Sequence, residues 1–471
     1  MARAADPSSP YGHDEERAQK LTPPYFCGHR EAWILPEWNH AQVAEVVLKE
    51  LFLGGLVSGL GGWWLYNQTE GIYRLVSEKA ISAKIEKWLS GAIAMADNGK
   101  ERHWPVKEAV TTSIMKSLDA ATAKEGLSFR IEGDLVPIKD GFTPLFSKEM
   151  IPFSLDRFTT WKLNFSSEVV INGSATCPRW LTFLAEGFDR DRRECDCTIL
   201  QEFFGYCLQS GAPLQRMLWL YGLAASGKSV IANTLVALLG KENVWAGSVD
   251  DLADKFNSDL LGKRLILLPD LRNDDRSGRK GLRMILNVVG QDPIRSQRKY
   301  RDAEMVTIDA KVMSTSNELP SWRDSTRATL RRTIPIHRVG TWENKQDSSL
   351  QSVFTGPELG GIFLWALEGL RRLAERGDFD QSKFDHKLLE NAARVMNPVV
   401  AFVEDVCELK RDGAWISKAT LYDEFAKWCR ESGTLINMSR EQFAVALKQT
   451  YPVVKDTRHG QVRGWSGILV R

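Results

Sequence analysis

Net charge is almost missing from this sequence: 62 Lys and Arg stand against 60 Asp and Glu in 471 residues. Net charge alone therefore announces no nucleic-acid partner, and any basic surface must come from local clustering. Cysteine is scarce, with seven residues (Cys27, Cys177, Cys195, Cys197, Cys207, Cys407 and Cys429) in no regular framework and no paired Cys-x-x-Cys motif. That pattern argues against a disulfide scaffold or a zinc ribbon and fits a reducing cytosol. Cys195 and Cys197 flank Asp196 with no second ligand pair near in sequence, so they read as surface thiols. Long apolar runs are also missing. Residues 51–66 are uncharged, yet they fall short of the ~20 residues a bilayer needs and hold five glycines, so they read as core. Residues 1–21 lack the apolar stretch of a secretory signal and read as a frayed leader. The expectation is a cytoplasmic protein with no membrane partner.

What is present suits a globular chain of roughly two to four domains. Aromatic and β-branched residues from 63 to 76, broken by the polar stretch 67–71, predict a hairpin, and the helical pattern 77–89 follows it. Short strands and turns are predicted around 129–165, then helices from Cys177 through Leu208. Residues 217–221 form a short apolar strand, and 229–239 carry helical spacing closed by Gly240. Further strands are predicted at 265–268 and 311–314, an alternation that a parallel α/β sheet requires. Beyond Asn397 and Pro398 the pattern gives helices at 418–431 and 439–449, then strand-like 453–455 and 464–470, the outline of a winged helix.

Between that strand and helix lie Gly222, Leu223, Ala224, Ala225, Ser226, Gly227, Lys228 and Ser229, with Val230 next, which fit the phosphate-binding loop pattern in its required context. Glycines at both ends let backbone amides wrap phosphates, Lys228 neutralises β/γ charge, and the Ser229 hydroxyl is available to Mg²⁺. Asp270, at the end of the 265–268 strand, stands where a carboxylate holds Mg²⁺. Leu271 and Arg272 supply no adjacent Glu, which leaves the base to Asp270 itself, Asp274 or Asp275. Asn317 ends the strand from Lys311 and suits a residue orienting the attacking water, or equally a strand-end cap. Arg331 and Arg332 could stabilise transferring phosphate from a neighbouring subunit, or could be solvated. Between Arg276 and Arg301 lie eight Lys or Arg residues against one acid, Asp292. Within that stretch Arg295, Arg298, Lys299 and Tyr300 offer cations and one aromatic, the chemistry of a sequence-tolerant single-strand track. Asp189 and Asp191 fall in a charged stretch running to Asp196 and read as a solvated loop, so no primase activity is expected.

These pieces in this order resemble superfamily 3 AAA+ helicases, in the branch found at the C-terminal end of phage and plasmid primase-helicases and in the poxvirus primase-helicase. The likeness rests on Cys177, Pro178, Arg179 and Trp180 with Phe183 and Leu184; Gly205 and Tyr206; the Gly222 loop; Gly262, Lys263 and Arg264; Gly290, Gln291, Asp292 and Pro293; Ser316 and Asn317; and Leu330 through Arg331, Arg332 and Pro335. It continues with Ile362, Trp365, Asn397, Pro398, Leu421, Phe425 and Trp428. The resemblance implies an AAA+ P-loop ATPase core with a parallel sheet, an N-terminal α+β or helical domain and a C-terminal winged helix. The expected boundaries are 1–62 for a leader and the start of an accessory domain, 63–210 for the helicase-associated domain, 211–345 for the ATPase core, 346–398 for a helical lid and linker, and 399–471 for the winged helix. It also implies ATP and Mg²⁺, Asn317 as sensor 1, Arg331 or Arg332 as the arginine finger, and Arg298 with Lys299 on a hairpin in the DNA channel of a hexamer. Translocation from 3′ to 5′ on single-stranded and forked DNA, a separate primase or polymerase, and the cytoplasm of a host cell are implied in the same way. Two positions depart from the branch: Asp270 replaces the usual Glu, and Gln291 stands where a second Gly is usual. The competing expectations are a non-unwinding AAA+ loader and an origin-binding initiator.

Overall fold

The computed structural model describes residues 22–105, 107–124, 127–131, 133–147, 149–252, 257–269, 278–296, 304–318, 328–340, 347, 349–410, 413–433 and 438–471. Their contacts separate into two units, one built chiefly from the chain up to Ile131 with Ile151–Lys162, the other from the remainder. Among the described residues no helix is long and apolar enough to cross a membrane.

In the first unit, β1 (Tyr25–Cys27), β2 (Ala32–Pro36), α1 (His40–Val46), β3 (Leu56–Gly59), β4 (Gly62–Asn67), β5 (Ile72–Val76), α2 (Glu78–Leu89), β6 (Ile93–Met95), β7 (Glu101–His103) and α3 (Glu108–Thr122) follow in order. Two sheets result, β1-β2-β6-β7 and β3-β4-β5. The apolar run 51–66 supplies β3 and most of β4, and Val57, Trp63 and Trp64 are buried as expected. The β4–β5 hairpin forms where the sequence places it, because the Asn67 side chain accepts from the Thr69 and Glu70 amides and Gly71 takes φ +74°, a left-handed turn position. Ser77 caps α2 by accepting from Ala80 N. Ile81, Ile85 and Leu89 then repeat every four residues on its buried face.

The second unit opens with the hairpin β8 (Leu135–Ile138) and β9 (Gly141–Pro144), then α4 (Ser167–Asn172), α5 (Pro178–Gly187) with proline at its start, and α6 (Arg193–Leu208). A three-layer α/β core follows from β10 (Met217–Gly222), α7 (Lys228–Leu239), β11 (Val244–Ala246), α8 (Val249–Leu252), β12 (Leu265–Leu268), α9 (Gly278–Gly290), β13 (Ile294–Ser296), β14 (Glu304–Val306), β15 (Lys311–Ser316), α10 (Ala328–Arg332) and β16 (Thr333–Arg338). Its five-stranded sheet has the order β11-β12-β15-β10-β16, and every neighbouring pair is parallel. Every residue of β12 and β15 is buried, as strands covered on both faces must be. At the foot of this sheet Arg264, buried, pairs with Asp309 at 2.5 Å. Arg264 and the buried Lys311 both donate to the Gln209 carbonyl, and Lys311 lies 5.0 Å from the centre of the Tyr206 ring.

After the sheet come α11 (Ser349–Phe354), α12 (Leu359–Arg376), α13 (His386–Met396) and α14 (Pro398–Val406), the last capped by the Asn397 side chain. The chain ends with β17 (Cys407–Leu409), β18 (Trp415–Ser417), α15 (Lys418–Glu431), α16 (Arg440–Thr450), β19 (Lys455–His459), β20 (Val462–Ser466) and β21 (Ile468–Val470). Here helices packed through Phe402, Phe425 and Phe443 support the antiparallel sheet β18-β20-β19. A capping box of Ser439 and Gln442 fixes the start of α16.

Two expectations are corrected. The charged stretch 189–196 is not all solvated loop: α6 begins at Arg193, and Asp196 is buried on it, pairing with Arg192 at 2.8 Å. Cys195 and Cys197 are half-buried rather than surface thiols, and burial pushes the Cys197 thiol up to about 11. The unit containing the sheet also includes α5 and α6. The reason is visible at two glycines. A Cβ on Gly205 would lie 2.4 Å from Leu370 N, and one on Gly369 would lie 2.4 Å from Gln201 O, so α6 and α12 meet backbone to backbone. Gly205→Ala and Gly369→Ala should each overpack this contact and destabilise the unit by about 1–3 kcal/mol. Thermal unfolding followed by circular dichroism reads the loss, and an unshifted transition in both variants would show that the helices can separate freely.

Candidate functional site

Strand β10 is apolar and lies between β15 and β16, so its end is held by a parallel neighbour on each side. The chain leaves it at Gly222, which is in register with Arg338, and a Cβ there would meet the Arg338 carbonyl at 2.3 Å. Ala225 and Gly227 follow with φ +57° and +83°. The first costs about 1–2 kcal/mol for an L residue; at the second, a Cβ would lie 2.7 Å from the Phe183 ring. Helix α7 then starts at Lys228, presenting the unbonded amides of its first turn to the loop. The Lys228 ammonium is buried and donates to the carbonyls of Gly222 (2.7 Å) and Leu223 (2.6 Å) and to Ser226 Oγ (3.2 Å). A cation is thus held at the loop's mouth.

The loop forms one wall of a cavity of about 530 Å³, to which Ala224, Ala225, Ser226, Gly227, Lys228, Ser229 and Val230 all contribute. Gly222 and Leu223 shape the entry without lining the cavity, and the Leu223 side chain is exposed. The opposite wall comes from strand ends: Pro269 after β12, and Thr315, Ser316 and Asn317 at the end of β15. Thr315 Oγ1 donates to the Pro269 carbonyl at 2.5 Å, and Trp219 Nε1 donates to Ser316 Oγ at 2.7 Å, which fixes these ends against one another and against β10. Asn317 therefore shares one cavity with Lys228. Asp270, directly after Pro269, lies outside the described residues, as do Asp274 and Asp275. Phe183, Asp347, Leu350 and Gln351 complete the lining. The sequence reading assigned no role to these four; only the Phe183–Leu184 pair stood out there, as part of a family-like block.

Other assigned residues lie elsewhere. Arg331 and Arg332 end α10 and are absent from the cavity lining; Arg331 is exposed, its carbonyl accepting from Arg216, while Arg332 is half-buried beside Gly290. Arg295 is exposed on β13, which pairs with β14 as a separate two-stranded sheet, and Arg298, Lys299 and Tyr300 lie outside the described residues.

Gln291, standing where a glycine was usual, adopts φ +59°. Its side chain offsets that conformation by accepting from Ala212 N (3.3 Å) and donating to the carbonyls of Val288 (3.1 Å) and Ile308 (2.9 Å). It therefore joins the entry and exit of the β13–β14 segment, and both to the chain leading into β10. Replacing Gln291 with Gly keeps the backbone angle and removes all three bonds, while Gln291→Ala also adds left-handed strain. Amide hydrogen exchange over Ala212 and β13 should accelerate by roughly tenfold in both, the equivalent of one or two lost hydrogen bonds, and unchanged exchange would rule out the tether.

Among known families, residues 220–332 match the family of unknown function DUF5906, and residues 394–465 match the family described as Poxvirus D5 protein-like. Two apo structures of the NrS-1 C-terminal region are similar to this chain. The first is 10% identical with a TM-score of 0.45, the second 12% identical with a TM-score of 0.44, and each comparison covers 89% of this chain and 98% of that one.

Proposed function

We propose that this protein is an ATP-driven DNA helicase of the superfamily 3 type, working as a ring, most simply a homo-hexamer, in replication of a phage, plasmid or related mobile element. The observation that carries the reading is the shared cavity: a phosphate-type loop at the end of β10 faces Asn317 at the end of β15. The strand between β10 and β12 brings a polar residue into the cavity that the loop lines, which suits the orienting of water if the γ-phosphate sits there. The Poxvirus D5 protein-like match at 394–465 supports the same branch that the sequence blocks resemble.

In this reading the amides from Ala224 to Lys228 cradle the phosphates and the Lys228 ammonium moves from loop carbonyls to the β/γ oxygens. Mg²⁺ would be held by Ser229, which lines the cavity, and by Asp270; it would supply charge neutralisation on the phosphates. Asn317 orients water, with proton acceptance by Asp270, Asp274 or Asp275. Arg331, exposed at the end of α10, or its neighbour Arg332 completes the site of an adjoining subunit. Arg295, Arg298, Lys299 and Tyr300 track single-stranded or forked DNA from the β13–β14 segment, with 3′ to 5′ movement. The C-terminal helices and their sheet serve as a winged helix that docks duplex DNA or a separate primase or polymerase.

Lys228→Ala should abolish ATP turnover in a chain that still folds, because the cavity loses its charge and three loop hydrogen bonds but no core packing. Persisting turnover would remove the loop from the mechanism. Strand displacement on a forked duplex tests the helicase step directly, since ATP turnover without displacement would make the protein a loader. Subunit geometry is tested by mixing: Arg331→Ala or Arg332→Ala, inactive alone, should regain part of its turnover when combined with Lys228→Ala. Recovery at no mixing ratio would place the arginines outside a shared site. Finally, the pair Arg298→Ala and Lys299→Ala should cut DNA-stimulated turnover while basal turnover persists, and should flatten the log–log salt dependence of DNA binding by about two units. Normal unwinding by that variant would refute the track.

A further inference from the structure

Against the loop, and absent from the cavity lining, lies a cation that the mechanism above does not use. Arg338 ends β16 and is buried, at 1% exposure. Its Nε donates to the Ser226 carbonyl at 3.1 Å, its Nη1 to the Leu184 carbonyl at 3.1 Å, and its Nη2 to the Phe183 carbonyl at 3.4 Å. The guanidinium also lies 4.7 Å from the centres of the Phe183 and Phe188 rings. At Gly187 a Cβ would fall 1.8 Å from its central carbon, so the end of α5 admits the guanidinium only because that residue is glycine. Backbone bonds from Val339 and Gly340 to the Gly187 carbonyl, at 3.0 and 3.2 Å, close the same helix end over it.

The contact with Ser226 has a directional consequence. In a planar trans peptide the C=O and the following N–H point to opposite sides. A guanidinium that holds the Ser226 carbonyl therefore turns the Gly227 N–H away from Arg338, and Gly227 itself lines the cavity whereas Arg338 does not. Arg338 also adds a positive charge beside the phosphate cradle, in a setting of low polarity where charge acts more strongly than in water.

We infer that Arg338 is a positioning residue for the phosphate loop, one that fixes the Ser226–Gly227 peptide with its N–H toward the nucleoside triphosphate and ties the loop to α5. The inference rests on the reading of the cavity as an ATP site. It predicts a defect in binding the phosphate chain, distinct from a loss of chemistry.

Arg338→Met keeps most of the side chain's bulk and removes its charge and donors. The KM for ATP should rise about tenfold or more, the equivalent of one lost charge-assisted hydrogen bond, while kcat changes by less than about threefold. The inhibition constant of ADP should rise with it, and that of adenosine should not. Arg338→Lys, which keeps the charge and one donor, should recover part of the loss. Because a buried methionine could compromise folding, Phe188→Leu provides a milder probe: it strips one ring from the cation, leaves the hydrogen bonds, and should give a smaller rise in KM. A folded Arg338→Met with unchanged KM would overturn the inference. So would equal defects in the Lys and Met variants, or an adenosine defect matching that for ADP, which would put the damage at Phe183. If Arg338→Met does not fold, unchanged KM in both Arg338→Lys and Phe188→Leu overturns it. Turnover surviving in Lys228→Ala would instead overturn the ATP-site reading, so the two failures are separable.

Discussion

The ion pair between Arg264 and Asp309, sealed at the foot of the central sheet, sets the level from which its strands rise. Arg264 directly precedes β12, Asp309 and Lys311 mark the entry to β15, and both cations reach the Gln209 carbonyl on the chain approaching β10. Three strands are thereby pinned at one end. With register pairs Met217↔Val312 and Leu265↔Lys311 fixed there, each strand climbs about 3.3 Å per residue. Gly222, Pro269 and Ser316 then arrive close together at the other end. Burying a charge pair is costly, and losing one partner of such a pair typically costs about 3–5 kcal/mol, so this foot tolerates little change. The geometry of the cavity is set at its far side.

Strand β15 is the element through which the two ends communicate. Just before its first residue lie Ile308, whose carbonyl the Gln291 side chain holds, and Asp309, which Arg264 holds; just after its last residue is Asn317 in the cavity. Every residue between them is buried in the sheet. A rigid strand of this kind offers no intermediate place for a displacement to dissipate. Under the proposed function, force on the β13–β14 segment and the state of the nucleotide would act on opposite ends of the same short strand.

The parts of this arrangement that the sequence makes legible are those governed by local pattern. β10, β12 and β15 appear as short apolar runs, the loop by its glycines and lysine, and α7 by its spacing and terminal Gly240, because hydrophobic period and backbone conformation act over a few residues. Asn317 is legible as a strand end for the same reason: the run before it from Val312 to Ser316 is apolar or small. The residues that escape are those whose role depends on distant partners. Arg338 looks like one more cation after an apolar strand, and its partners Phe183 and Leu184 lie in a helix that precedes the sheet. Asp196 reads as part of a charged loop until α6 turns it inward, and the Gln291 tether depends on Ala212 and Ile308 on other segments. Phe183, Leu350 and Gln351 meet only in three dimensions.

The backbone contact between α6 and α12 has a mechanical meaning. Side chains between helices act as springs, because rotamers can shift to absorb a small displacement. At Gly205 and Gly369 no such spring is present, and peptide groups face one another directly. A push on one helix must therefore reach the other almost undamped, so the pair behaves as a rivet, and any bending of this unit has to occur at its loops.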